Sequence, residues 1–300
     1  MSLTQPYPTP LRGAKLTRWS VLAGAMLALA GFGLVPVAMA RDASNASQWV
    51  ATWSASPQSA SNPADLTGVT TRQIVHVSIG GQRVRVRLSN AFGTDALVIG
   101  AARVARRSTG ASIVAGTDRV LTFNGSPTTT IPPGALAVSD PVNLKVPDLA
   151  DLAVSLYLGG NAVAATEHTL GLQTTYVSAA GDFSGASDLL AARTTEAFYF
   201  LTGVEVVASR QSAAIVTLGD SITDGLNSTA DANRRWPNRL AERLRAQKVA
   251  RKVAVLNAGI SGNRLLRDIQ GTSALARLDR DVLVQSGARY LIVLLGINDI

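Results

Sequence analysis

Three short segments carry residue types that together could perform acyl transfer at a serine. They are Gly219-Asp220-Ser221-Ile222-Thr223-Asp224-Gly225, Asn257-Ala258-Gly259-Ile260-Ser261-Gly262-Asn263 and Gly296-Ile297-Asn298-Asp299. A serine on a tight turn exposes its hydroxyl, and a helix start beyond it favours developing negative charge, which suits Ser221 to the role of nucleophile. Glycine lets a backbone N–H approach a tetrahedral oxyanion without a Cβ clash, so Gly259 and Gly262 compete for that place. The Asn298 side-chain amide is a neutral donor of the kind that completes an oxyanion hole, where one lost donor costs about 10²–10³ in turnover. Asn298 also reads as a turn former and Asp220 as a helix cap. Asp220 and Asp299 are expected to orient loops rather than carry protons. Each segment alone is a weak signal; the three in this order form a constellation.

What the chain lacks narrows the chemistry. It has no cysteine, which excludes disulfide frameworks, thiolate zinc sites, Fe–S clusters and thiol nucleophiles. Its two histidines, His76 and His168, have no metal-ligand neighbour at helical spacing, and no phosphate loop is present, so neither a metal nor a cofactor is expected. His76 falls in an expected strand and His168 in an expected loop, and both read as structural or surface residues. The net charge is +8, with a basic run from Arg234 to Lys252. That run lies on and around an amphipathic helix, includes Glu242 and lacks interleaved aromatics, so it reads as a solvated face and not as a nucleic-acid surface. Hydrophobic residues make up 47% and charged residues 16%, which excludes a disordered chain.

The three segments need elements that bring them together. Ala213–Leu218, Val253–Leu256 and Tyr290–Leu295 are apolar runs of strand length, and Trp236–Lys248 and Ser273–Ser286 have helical spacing. The order β-α-β-α-β predicts a parallel, doubly wound α/β sheet of flavodoxin-like type, whose strand carboxyl ends share one rim. From Trp49 to about Ala208 the pattern is short strands and turns. Val84-Arg85-Val86-Arg87-Leu88 alternates with period two, and Gly80-Gly81 reads as a hairpin turn after Ile74–Ile79. This predicts a β-sandwich or jelly-roll-like domain over 49–208 and an α/β domain over 213–300, with a polar boundary at 209–212.

The first forty residues stand apart. Arg12, Lys15 and Arg18 precede an uncharged apolar run, and Ala38-Met39-Ala40 offers a cleavage site before Arg41. Residues 1–40 are therefore expected to be a signal peptide and 41–48 a linker. Export follows, to a secreted or periplasmic location, with no stable membrane span after cleavage.

The segment Ala213–Ile300 resembles the SGNH (GDSL) family of serine esterases and lipases. More loosely, WVATWSASPQ, RQIVHVSIGG and VRLSNAFGT resemble the β-rich domain of secreted, acetylxylan-esterase-like members. The resemblance implies Ser221 as nucleophile, with an oxyanion hole made by the N–H of Ser221, a second-segment glycine N–H and the Asn298 amide. The family's spacing from Asn257 favours Gly262. It further implies a catalytic His and Asp from a downstream Asp-x-x-His motif, which this chain does not contain; no histidine follows His168. The chain is thus expected to be truncated before its base and to be inactive by itself. The implied reaction is hydrolysis of carboxylic esters, among them acyl or acetyl groups on carbohydrate or small alcohols. The alternative is a non-catalytic, secreted glycan-binding module with a remnant hydrolase domain.

Overall fold

Along the strand Gly81–Ser89, Val84, Val86 and Leu88 are buried, while on the opposite face Arg83 is exposed and Arg85 and Arg87 are half-buried against Glu205, as period-two alternation requires. The structure, a computed structural model, describes residues 47–247 and 252–300. The expected signal peptide, its cleavage site and most of the expected linker lie outside the described residues. Ser47 and Gln48, the end of that linker, already belong to the first strand, Ser47–Ser54.

Two large antiparallel sheets, with two smaller ones of three and two strands, build the β-rich part. One has the order Ser47–Ser54, Leu201–Ser209, Gly81–Ser89, Val142–Val146, with Leu136–Val138 also paired to Gly81–Ser89. The other is six-stranded, with Val69–His76 and Asp151–Tyr157 at its centre. Val50, Val86 and Val206 from the first sheet and Val75, Val154 and Val177 from the second enter one continuous core.

The expected hairpin at Gly80-Gly81 does not form. Val69–His76 and Gly81–Ser89 belong to different sheets. Gly80 is needed for another reason: a Cβ there would sit 2.6 Å from the Pro147 carbonyl carbon, so two stretches of backbone could not pass.

The three strands beyond the polar turn at 209–212 are parallel, in the order Val253–Gly259, Ala213–Gly219, Ala288–Leu294. Gly219 is in register with Gly259 on one side and Leu294 on the other, so the three segments leave the sheet at one rim. The first expected helix is present as Trp236–Ala246. The second is reduced to one π-helical turn, Asp279–Leu283, and its inward positions mix apolar and charged groups. Leu275 and Leu283 are exposed, whereas Arg277 and Asp281 are buried beside Val282.

The parallel strands share the core of the antiparallel sheets: Val216 and Leu256 join the same cluster as Val50 and Trp53. Hydrogen bonds cross between the two regions, from Ala51 N–H to the Ser286 carbonyl (2.8 Å) and from Val255 N–H to Ser78 Oγ (3.0 Å). Among the described residues no helix is long and apolar enough to cross a membrane.

Candidate active site

Strand Ala213–Gly219 runs directly into the turn that bears Ser221. Asp220, almost fully buried, accepts from Ile222 N–H at 3.0 Å through Oδ1 and so caps the four-residue helix Ser221–Asp224. Gly225 ends that helix at φ 109°, a left-handed conformation that glycine adopts without strain, and returns its N–H to the Ser221 carbonyl. Ser221 is half-buried at the first helical position. Among the described residues neither its hydroxyl nor its N–H has a hydrogen-bond partner.

The second segment is bound tightly to this turn. Asn257 donates through Nδ2 to the Thr223 carbonyl (2.8 Å), and its Oδ1 accepts from Gly259 N–H (2.8 Å). A Cβ on Gly259 would lie 2.6 Å from Asp224 Cα, so only glycine lets the two segments touch. Asp224 Oδ2 accepts from both the N–H and the hydroxyl of Ser261, each at 2.8 Å. The Gly259 N–H is thus occupied within its own loop. The Gly262 N–H has no partner among the described residues, and Gly262 itself is at φ +76°.

The third segment closes on the second. Asn298 donates one Nδ2 hydrogen to the Asn263 carbonyl at 3.0 Å and keeps the other unassigned. Asp299 accepts from Leu265 N–H at 2.9 and 3.1 Å through its two oxygens. Asp220 and Asp299, the two carboxylates expected to orient loops, each accept from a backbone N–H, of Ile222 and of Leu265.

Two groups escape sequence reasoning. Arg277, with no exposed surface, donates to the Gly219 carbonyl (3.1 Å) and the Ala258 carbonyl (2.8 Å) at the ends of two parallel strands. It also reaches Asn263 Oδ1 (3.1 Å), Asp281 Oδ2 (3.0 Å) and, from the β-rich part, Ser56 Oγ (3.0 Å). Burial lowers its guanidinium pKa and Asp281 opposes that shift; the guanidinium stays charged in a protein. The i,i+4 spacing of Arg277 and Asp281 was the available signal, but such a pair ordinarily marks an exposed helix face.

The second group is His168. Its Nε2 lies 3.0 Å from Asp224 Oδ1 and its Nδ1 lies 2.9 Å from the Ser56 carbonyl, all buried. Burial pushes the imidazole pKa down, but the Asp224 charge and hydrogen bond, with the Ser56 carbonyl, overcome it and hold the ring above its ordinary value. Conversely, burial raises the Asp224 carboxyl while His168 and Ser261 pull it below the usual range. His76, half-buried, pairs with Asp151 at 2.7 Å, and Arg107 reaches the other oxygen of that carboxylate. Neither histidine is hydrogen-bonded to Ser221. Among the described residues no cluster of three or more His, Asp or Glu could hold a metal ion.

Residues 217–300 match the model of the GDSL-like Lipase/Acylhydrolase family. Among solved structures, an active-site mutant of a family two carbohydrate esterase from Clostridium thermocellum, in complex with celluohexase, is similar at 11% identity and a TM-score of 0.23. The alignment covers 84% of this chain and 61% of that one, so this chain spans about three fifths of the esterase's length. Such a score does not establish a shared fold. Comparison with curated proteins gives no match.

Proposed function

We propose that this chain carries the nucleophile half of a GDSL-type serine esterase. The Ser221 hydroxyl attacks the carbonyl carbon of a carboxylic ester, its proton passes to a base, and the alcohol leaves protonated, giving an acyl-serine that water then hydrolyses. The Ser221 N–H, the Gly262 N–H and the second Asn298 Nδ2 hydrogen stabilise the tetrahedral oxyanion. The observation that carries the reading is the hydrogen-bonded closure of all three segments at one rim of a parallel sheet, which leaves these three donors unpaired or partly so while it occupies the Gly259 N–H.

The base is a histidine other than the two in this chain: His168 has both ring nitrogens occupied by Asp224 and Ser56, and His76, held by Asp151 through Nδ1, is not hydrogen-bonded to Ser221. In the complete enzyme the three parallel strands are part of a doubly wound sheet, with the β-rich region as its companion domain. The protein is exported through residues 1–40, and its substrates are acyl or acetyl esters of carbohydrates or small alcohols. The reading calls for no metal or organic cofactor.

The test is hydrolysis of p-nitrophenyl acetate by the natural full-length product. Ser221→Ala is expected to lower turnover by about 10⁴-fold or more, and Asn298→Ala by about 10²–10³-fold. A loss below about tenfold for Ser221→Ala overturns the reading in favour of a non-catalytic module. Residues 41–300 alone are expected to show no Ser221-dependent turnover.

A further inference from the structure

We propose that His168, as an imidazolium supplied by the β-rich region, is a positioning residue for the Ser221 reaction: it holds the Asp224 carboxylate that staples the nucleophile turn to the loop bearing the Gly262 N–H. The proposal rests on the esterase reading and adds to it a working part from outside the parallel sheet.

Hydrogen-bond chemistry sets the charge of the ring. Nδ1 faces a carbonyl oxygen at 2.9 Å, which can only accept, so Nδ1 carries a hydrogen. Nε2 faces Asp224 Oδ1 at 3.0 Å, while Oδ2 of the same carboxylate already accepts two hydrogen bonds from Ser261. A carboxylate with that donor set is ionised, so Nε2 carries a hydrogen as well. A neutral ring would turn one lone pair onto an acceptor while almost fully buried.

The position of Asp224 makes the pair consequential. It lies three residues after Ser221, in the last position of the same short helix. Its partner Ser261 immediately precedes Gly262. Nucleophile and oxyanion donor are thus joined through one carboxylate, and that buried anion is tolerated because a cation from the other region faces it. The other charges around the pair are accounted for. Arg235, buried and bonded to the Gly171 carbonyl and Asn238 Oδ1, opposes protonation of His168. Glu167 feels the charge of His168, and Arg277 feels that of Asp224. Phe198 stacks on the imidazole at 6.5 Å, and His76 lines the same water-sized cavity of about 20 Å³.

The experiment has one arm without mutation and one with. Nitrogen NMR of the unmodified 300-residue chain reads the ring directly, since it holds two histidines and His76→Gln assigns the signals. Both His168 nitrogens should remain protonated at pH 7.5, about one unit above the ordinary imidazole value. A neutral ring there overturns the proposal, whatever any variant does. In the full-length product, His168→Gln and Asp224→Asn should each lower kcat by about 10²-fold, as a displaced catalytic group does, with KM changed less than about threefold. Both should also remove the alkaline limb of the kcat–pH profile that His168 deprotonation produces. Unchanged kcat and profile in both variants, with turnover still abolished by Ser221→Ala, overturns this proposal alone. Turnover that survives Ser221→Ala overturns the esterase reading and this proposal with it.

Discussion

Replacing Arg277 by methionine keeps most of the buried stem and removes the charge and five hydrogen bonds. Deleting one partner of a buried ion pair costs about 3–5 kcal/mol, chiefly through the charge left behind. Here the cost falls at the lower end. Asp281 keeps Arg280, at 2.7 and 3.0 Å, and the Gly219 carbonyl keeps Ile260 N–H at 3.1 Å. What is lost outright is the bonding of Ala258, Asn263 and Ser56 to the guanidinium. A loss of about 3 kcal/mol is therefore expected, a large share of a typical total of about 5–15 kcal/mol. In urea, with a slope of about 3 kcal/mol per molar, the midpoint should fall by about 1 M. A midpoint shift below about 0.3 M for Arg277→Met, at unchanged slope, would refute the view that this arginine ties the strand ends to the β-rich region.

Gly259→Ala pushes a methyl group into the Ser221 turn, 2.6 Å from Asp224 Cα and 2.8 Å from the Thr223 carbonyl carbon. It should cost about 1–3 kcal/mol or more by urea denaturation, whereas Gly185→Ala, whose nearest neighbours are Arg103 side-chain atoms at 3.7 Å, should be near neutral. The His168–Asp224 pair should give stability two limbs in pH. The raised imidazole pKa stabilises the fold fully below the ordinary value of about 6.5 and loses that contribution as pH rises through the folded-state pKa. The lowered Asp224 pKa stabilises above the ordinary carboxylate value and loses its contribution as pH falls through the folded-state pKa. Melting temperatures of Asp224→Asn measured across both limbs should vary less; identical limbs would remove the pair as their source. Strand Ala288–Leu294 borders the sheet with Leu291, Ile292, Val293 and Leu294 exposed by 38–53%, an apolar edge prone to association. Ile292→Lys should reduce self-association in light scattering, and equal association in both forms would place the contact elsewhere.

The alternation in Val84–Leu88, the amphipathic helix after Trp236 and the three apolar runs beyond 213 were legible because each obeys a local period that burial on one face imposes. The capping of the Ser221 turn by Asp220 and the bonding of Asp299 to a neighbouring loop follow from short polar side chains beside turns. Gly80-Gly81 misled because its glycines answer to a crossing strand and not to a turn of their own. Ser273–Ser286 misled because its polar residues point inward. Buried ions have the same local spacing as solvated ones, and only the surrounding acceptors tell them apart.

Residues 213–300 by themselves determined three parallel strands with the three polar segments at their carboxyl ends, since strand direction and strand-end loops depend on neighbours close in sequence. The tertiary structure decided which glycine N–H stays free and what holds the Ser221 turn. Those answers depend on His168 meeting Asp224 across 56 residues and Arg277 meeting Ser56 across 221. No period or spacing encodes such contacts. They arise because two regions share one core, and every buried charge at their junction must find its partner in the region opposite or close beside it.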